Sequence, residues 1–181
     1  MRIHAKRLSK LMQERGASPE ELAGAVARKG LSREQAASAI RNWMRGNDHP
    51  RCKAEDIRAL AGELGCQITD IAMFTSVFKY HRGSPRKARL LADMIRGKNV
   101  IDAQNMLTFT PKRAAVDVKK ALEAAVTEAE INEADTSTLI VSVSCVDEGP
   151  IMKRFQPKDR GRAHPIMKRM SHITIGVEER A

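Results

Sequence analysis

VDEGPIMKRFQPKDRGRAHPIMKRMSHITIGV, from Val146 to Val177, reads as two extended legs joined by a basic tip. Between Gly149 and Ile173 it holds seven cations, Lys153, Arg154, Lys158, Arg160, Arg162, Lys168 and Arg169, against the single acid Asp159. Its bulky apolar residues, Ile151, Met152, Phe155, Ile166, Met167 and Met170, are thinly spread. A strand rises about 3.3 Å per residue, so legs of roughly ten residues reach about 30 Å from the body that bears them. A lone two-stranded ribbon is only marginally stable in water, and this one has too little apolar surface for an interior. Its charge implies that a polyanion orders it.

Outward from the arm, both legs run into apolar strands. Thr138–Val146 places Leu139, Val141, Val143 and Cys145 on one side, so Cys145 is expected as a buried free thiol. Ser171–Glu178 is the return, with Ile173, Ile175 and Val177 inward. Gly149-Pro150 should bend the arm where it leaves the sheet, and Gly161 permits a tight tip.

Upstream, Thr75–His81 reads as a short strand and Arg82-Gly83 as a turn. Ser84-Pro85 then starts a helix whose buried stripe is Leu90, Leu91, Met94 and Ile95, ending at Gly97. A short helix, Ile101–Thr108, turns Ala103, Met106 and Leu107 inward. Thr110-Pro111 caps the longest helix, Pro111 to Ile131, in which Ala115, Val118, Leu122, Ala125, Val126 and Ala129 follow helical spacing. Residues 75–181 therefore form an α+β domain. It has a small antiparallel sheet backed by three helices and a long protruding β-hairpin at about 146–177.

Residues 1–74 are written in helices. Ala5–Arg15 carries Leu8, Leu11 and Met12 on one face and stops at Gly16. Ser18-Pro19-Glu20-Glu21 starts a second helix running to Gly30. Ser32 and Gln35 have capping-box spacing at the head of a third, which carries Ala36, Ala39, Ile40 and Trp43. Ala54–Leu64 is a fourth, ended by Gly65, and Ile68–Ile71 begins a short fifth. This is an all-α helical bundle ahead of the α+β domain.

The formal charge of +10 on 181 residues, with a pI near 9.9, points to nucleic acid first and an anionic membrane surface second. Residues 1–74 hold 13 basic and 9 acidic groups, and residues 75–181 hold 19 and 13, so both parts are net positive. Three cysteines are odd in number and sparse, which suits a reducing cytoplasm. No apolar run approaches the ~18 residues of a membrane span, and no secretory signal opens the chain. His49, Cys52 and Cys66 do not have the spacing of a zinc site. No nucleophile–base motif or Gly-rich phosphate loop is present, so neither an enzyme nor a cofactor is expected. Six aromatic residues (Trp43, Tyr80 and four Phe) are too few for a broad stacking platform on single strands.

Two resemblances follow. The order of ERGASPEELA, a Ser-led third helix and AEDIRALAGELGCQITDI is similar to phage-repressor-type helix-turn-helix domains. That resemblance implies Ser32, Arg33, Gln35, Ser38, Arg41 and Asn42 near duplex DNA. Its alternative is a bundle that docks rRNA or a targeting factor. Residues 78–178 resemble the universal large-subunit ribosomal protein twenty-two family. The matching blocks are SPRKARLLADMIRG (84–97), KRAAVDVKKALEAA (112–125), VDEGPIMKRFQPKDRGRA (146–163) and KRMSHIT (168–174). The resemblance implies a structural component of the large subunit that binds large-subunit rRNA beside neighbouring ribosomal proteins, near the polypeptide exit. It implies a hairpin tip, with Met152, Phe155, Gln156, Pro157, Asp159 and Gly161, at the wall of the nascent-chain tunnel. Asp159, His164 and Met170 depart from the family pattern.

The arm cations are the main candidate phosphate ligands, since an Arg fork pairs with phosphate bidentately. A second set is Arg86, Lys87 and Arg89 with Arg96 and Lys98. A basic first helical turn is unfavourable unless an anion lies nearby. Lys112 and Arg113 repeat this at the next helix start, and Lys119 and Lys120 extend the patch. His172 is expected on the polar side of its strand, bonding to RNA or backbone.

Overall fold

The computed structural model of the protein describes residues 1–26 and 31–180. The chain divides into two compact units, Met1–Phe74 with Ile131–Ala134, and Thr75–Glu130 with Asp135 onward.

In the first unit, local capping sets the helix starts. Strand β1 is Arg2–Ile3, and helix α1, Ala5–Arg15, begins where His4 Nδ1 accepts the Arg7 N–H at 3.3 Å. It ends at Gly16, whose φ of 62° relieves the chain of a Cβ in the left-handed region. Helix α2, Pro19–Leu22, and helix α3, Arg33–Met44, each open with a reciprocal capping box, Ser18 with Glu21 and Ser32 with Gln35. Helix α2 ends at Leu22 and residues 23–26 are in turns, short of the expected helical run to Gly30, which itself lies outside the described residues. Helix α4 is Ala54–Leu64 and α5 is Ile68–Ile71. The helices bury Leu8, Met12, Ile40, Trp43, Ile57 and Leu60, and Trp43 Nε1 donates to the Pro50 carbonyl at 2.7 Å. Strand β2, Ala72–His81, opens in this unit, pairing Ala72 and Met73 with Ile3 and Arg2.

The second unit is a sheet of order β2-β6-β3 with helices laid on it. Helices α6 (Pro85–Ile95) and α7 (Val100–Phe109) lie against strand β3 (Leu139–Glu148), which pairs antiparallel with β6 (Ser171–Glu179). Helix α8, Ala114–Ile131, buries every member of its expected stripe. The core of the sheet is Leu139, Val141, Val146, Ile173, Ile175 and Val177.

Several expectations are corrected. Ser142 bulges out of the β3–β6 ladder, so Val141 faces Val177 while Val143 faces Gly176. One extra residue reverses the alternation beyond it. Ser144 and Val146 therefore point inward, Val143 is half-buried, and Cys145 is exposed rather than buried. On α6 the buried stripe is Ala88, Leu91, Ala92 and Ile95; Leu90 lies off that face and is 59% exposed. Ser84 makes no side-chain cap, and α8 starts three residues later than the Pro suggested.

Past Glu148 the ladder breaks. Strands β4 (Met152–Pro157) and β5 (Ala163–Lys168) form a separate two-stranded ribbon. The Gly149 N–H donating to the Met170 carbonyl at 2.9 Å spans the break. At about 3.4 Å per residue each six-residue strand runs roughly 20 Å.

Candidate nucleic-acid interface

Cross-strand partners in a ribbon share a face. Met152, Arg154 and Gln156 lie with Lys168, Ile166 and His164 on one face of the arm, and Lys153, Phe155 and Pro157 with Met167, Pro165 and Ala163 on the other. Both faces thus mix cations with apolar groups, and Phe155 (75%) and Met167 (48%) stand in solvent. Met152, His164 and Ile166 on the first face are half-buried, while the second face is open to solvent. Among the described residues, none of the seven arm cations forms an ion pair. The tip closes through Lys158 N–H to the Arg162 carbonyl at 2.7 Å, with Arg160 and Gly161 at φ 55° and 70°. Asp159 accepts the Arg162 N–H through its backbone carbonyl at 3.3 Å.

At the root of the arm, Tyr80 is held at φ 60°, a conformation that costs a bulky residue free energy. Its N–H is bonded to His172 Nδ1 at 3.1 Å, and its ring stands edge-on to the imidazole, 4.9 Å between centroids. His172 thus supports the backbone, one of the two roles expected of it.

The body's cations divide. Arg89 Nε donates to the Val146 carbonyl at 3.1 Å, and Arg96 donates to the Ser144 carbonyl at 2.5 Å while pairing with Asp93. These two tie α6 to β3. Lys119 donates to Thr108 Oγ1 at 3.0 Å and lies 3.8 Å from Glu123. Arg86, Lys98 and Lys120 are exposed.

Lys87, Lys112 and Arg113 come together with Arg82 around a cleft of about 560 Å³, floored by Leu90 and Ala114. The turn Arg82-Gly83-Ser84 is shared with a second cleft of about 430 Å³, whose far side is Met167, Lys168 and Arg169. One basic track therefore runs from the arm's return strand over the turn to the starts of α6 and α8. On its wall His81, 5% exposed, sets Nδ1 2.7 Å from Asp117 Oδ2. Its Nε2 lies so close to Gly83 that a Cβ there would fall 2.3 Å away. Sequence reading missed Arg82, His81 and Leu90 as parts of this surface. The only signal was the basic residue beside the turn glycine.

In the first unit the proposed DNA-facing residues are largely engaged within the unit. Ser32 and Gln35 cap each other's backbone, Arg41 pairs with Glu20, and Asn42 Nδ2 donates to the His49 carbonyl at 2.9 Å. The Arg41 guanidinium, through that bond, holds the Glu20 carboxyl below its ordinary value. Arg33 and Ser38 are exposed.

Residues 76–178 match the family described as Ribosomal protein L22p/L17e.

The chain belongs to that family.

It is 53% identical over 106 residues to the large ribosomal subunit protein uL22 of Heliobacterium modesticaldum, an alignment covering 58% of this chain and 76% of the relative. As an L22p/L17e protein it is a structural constituent of the large ribosomal subunit, binding large-subunit rRNA among other ribosomal proteins. The family is not one of enzymes. Among the described residues no helix is long and apolar enough to cross a membrane, and no group of three or more His, Cys, Asp or Glu is gathered to hold a metal ion.

Proposed function

We propose that the ribbon threads through large-subunit rRNA, the seven cations Lys153, Arg154, Lys158, Arg160, Arg162, Lys168 and Arg169 serving as its principal phosphate ligands, and that its tip contributes to the wall of the nascent-chain tunnel. The body sits near the polypeptide exit, with the basic track from Lys168 and Arg169 over Arg82 to Lys87, Lys112 and Arg113 against RNA. The observation that carries this reading is that both faces of the arm present cations without acidic partners, and one face also presents the exposed apolar side chains Phe155 and Met167. RNA supplies phosphates for the former, and sugar edges and bases for the latter. Gln156, Pro157, Asp159 and Gly161 are the tip residues nearest the growing chain, with Met152 and Phe155 further down the ribbon.

The test is a translating ribosome carrying a photoreactive nascent chain. Cross-links to residues 156–161 are expected at chain lengths that place the probe midway down the tunnel. Cross-links to other tunnel components at every length, and never to the tip, would remove the tunnel-wall role. The DNA-binding alternative finds no support in the comparisons. For residues 1–74, ahead of the family match, the reading is an extension of the subunit surface, and density for a helical bundle on assembled ribosomes tests it.

A further inference from the structure

The cleft at the starts of α6 and α8 combines two features that simple phosphate binding does not need together. Four cations, Arg82, Lys87, Lys112 and Arg113, stand around it. Leu90 lines the same cleft and is 59% exposed, with the rest of its helix's apolar stripe facing the core. An RNA duplex meets a protein with a convex, phosphate-lined surface and keeps its base faces stacked. It would satisfy the cations and leave the leucine wet. Proteins read RNA chiefly through unpaired nucleotides whose bases are splayed out of the stack. A concave site of about 560 Å³ falls within the ~300–1,000 Å³ of pockets that enclose small ligands. The wall is also built to hold its shape. His81 is buried, its Nδ1 is fixed by Asp117, and Gly83 leaves room for its Nε2 edge.

We propose that this cleft seats a single unstacked nucleotide of large-subunit rRNA, its base against Leu90 and its phosphate among Arg82, Lys87, Lys112 and Arg113. The inference rests on the reading that the body binds rRNA and adds to it a mode of contact at one place. It makes the cleft a point of register, since one extruded nucleotide fixes where along the RNA the body docks, whereas the arm's phosphate contacts tolerate sliding.

The sign of one substitution separates a base seat from a charged surface. Leu90→Lys adds a fifth cation to the cleft and, at an exposed position, leaves the melting temperature unchanged. The full-length chain would be titrated against transcribed large-subunit rRNA, with base-reactive chemical probing of the complex. A seated base predicts about tenfold weaker binding for Leu90→Lys, since a hydrated ammonium would then stand where the base packs. It also predicts that one unpaired base, protected by wild type, becomes reactive again. Leu90→Ala should expose the same base with a smaller loss of affinity. Wild-type binding with Leu90→Lys equal to it or tighter, and no single base changing, overturns the seat alone. Failure of the wild type to bind rRNA overturns the wider reading with it.

Discussion

Neutralising Lys153, Arg154, Arg160 and Arg162 to glutamine in one variant changes the salt dependence of rRNA binding by an amount that can be worked out beforehand. All four side chains are exposed, and among the described residues none has an acidic partner. Their removal therefore costs the fold nothing, and the thermal melt of the free protein should not move. On RNA each phosphate contact releases condensed counterion, and the slope of log affinity against log salt falls by about 0.7 to 0.9 per contact. Four contacts amount to about 3 units of slope. Over a fourfold rise in salt the wild-type affinity should then drop about sixtyfold more than that of the variant. The assay is filter binding to a large-subunit rRNA transcript across a potassium chloride series, with melting curves as the folding control. A slope altered by less than one unit, at unchanged low-salt affinity, would refute the assignment of these side chains to phosphates.

Gly83→Ala drives a methyl into His81 Nε2, and relief means moving a buried ring off Asp117; a loss of about 1–3 kcal/mol is expected in denaturant unfolding of the full chain. Trp43→Phe keeps most of the packing but leaves the Pro50 carbonyl without its donor, so about 1 kcal/mol should go, against about 3–5 for Trp43→Ala, both read from circular dichroism melts. Alkylation followed by mass spectrometry should modify exposed Cys145 first and buried Cys52 last. Cys66 should lag behind Cys145 at neutral pH, because burial, and then the charge of Asp70, push its thiol up and deplete the thiolate. Raising the pH should speed the Cys66 reaction.

Local signals account for most of what the chain disclosed before folding was considered. The ends of α1 and α4 fall where Gly16 and Gly65 adopt the left-handed conformation, and Ser18 and Ser32 cap the helices they precede. The inward residues of β6 follow simple alternation because that strand has no bulge of its own within the core. Alternation misplaced Cys145 because Ser142, a residue of no special type, drops out of the ladder. Strand β1 has two residues, too few to show a period. Leu90 sat in a helix with apolar neighbours, and its exposure depends on which of two adjacent leucines the sheet takes. For the nucleic-acid surface, the run of cations in the arm was plain. The meeting of Arg82 and Lys87 with Lys112 and Arg113 was not, since a helix and a half of chain separates the pairs and their shared concavity exists only after α6 and α8 have docked.

The break in the ladder at Gly149 has a bearing on how a subunit is put together. Two hydrogen-bonded sheets joined across a crease by one backbone bond behave as separate cooperative blocks, so fraying that starts at the tip halts at the crease. The body can arrive finished while the ribbon is still unzipped. Under the proposed threading, RNA helices can then close around the ribbon in stages, without any demand that a preformed spike find a preformed hole.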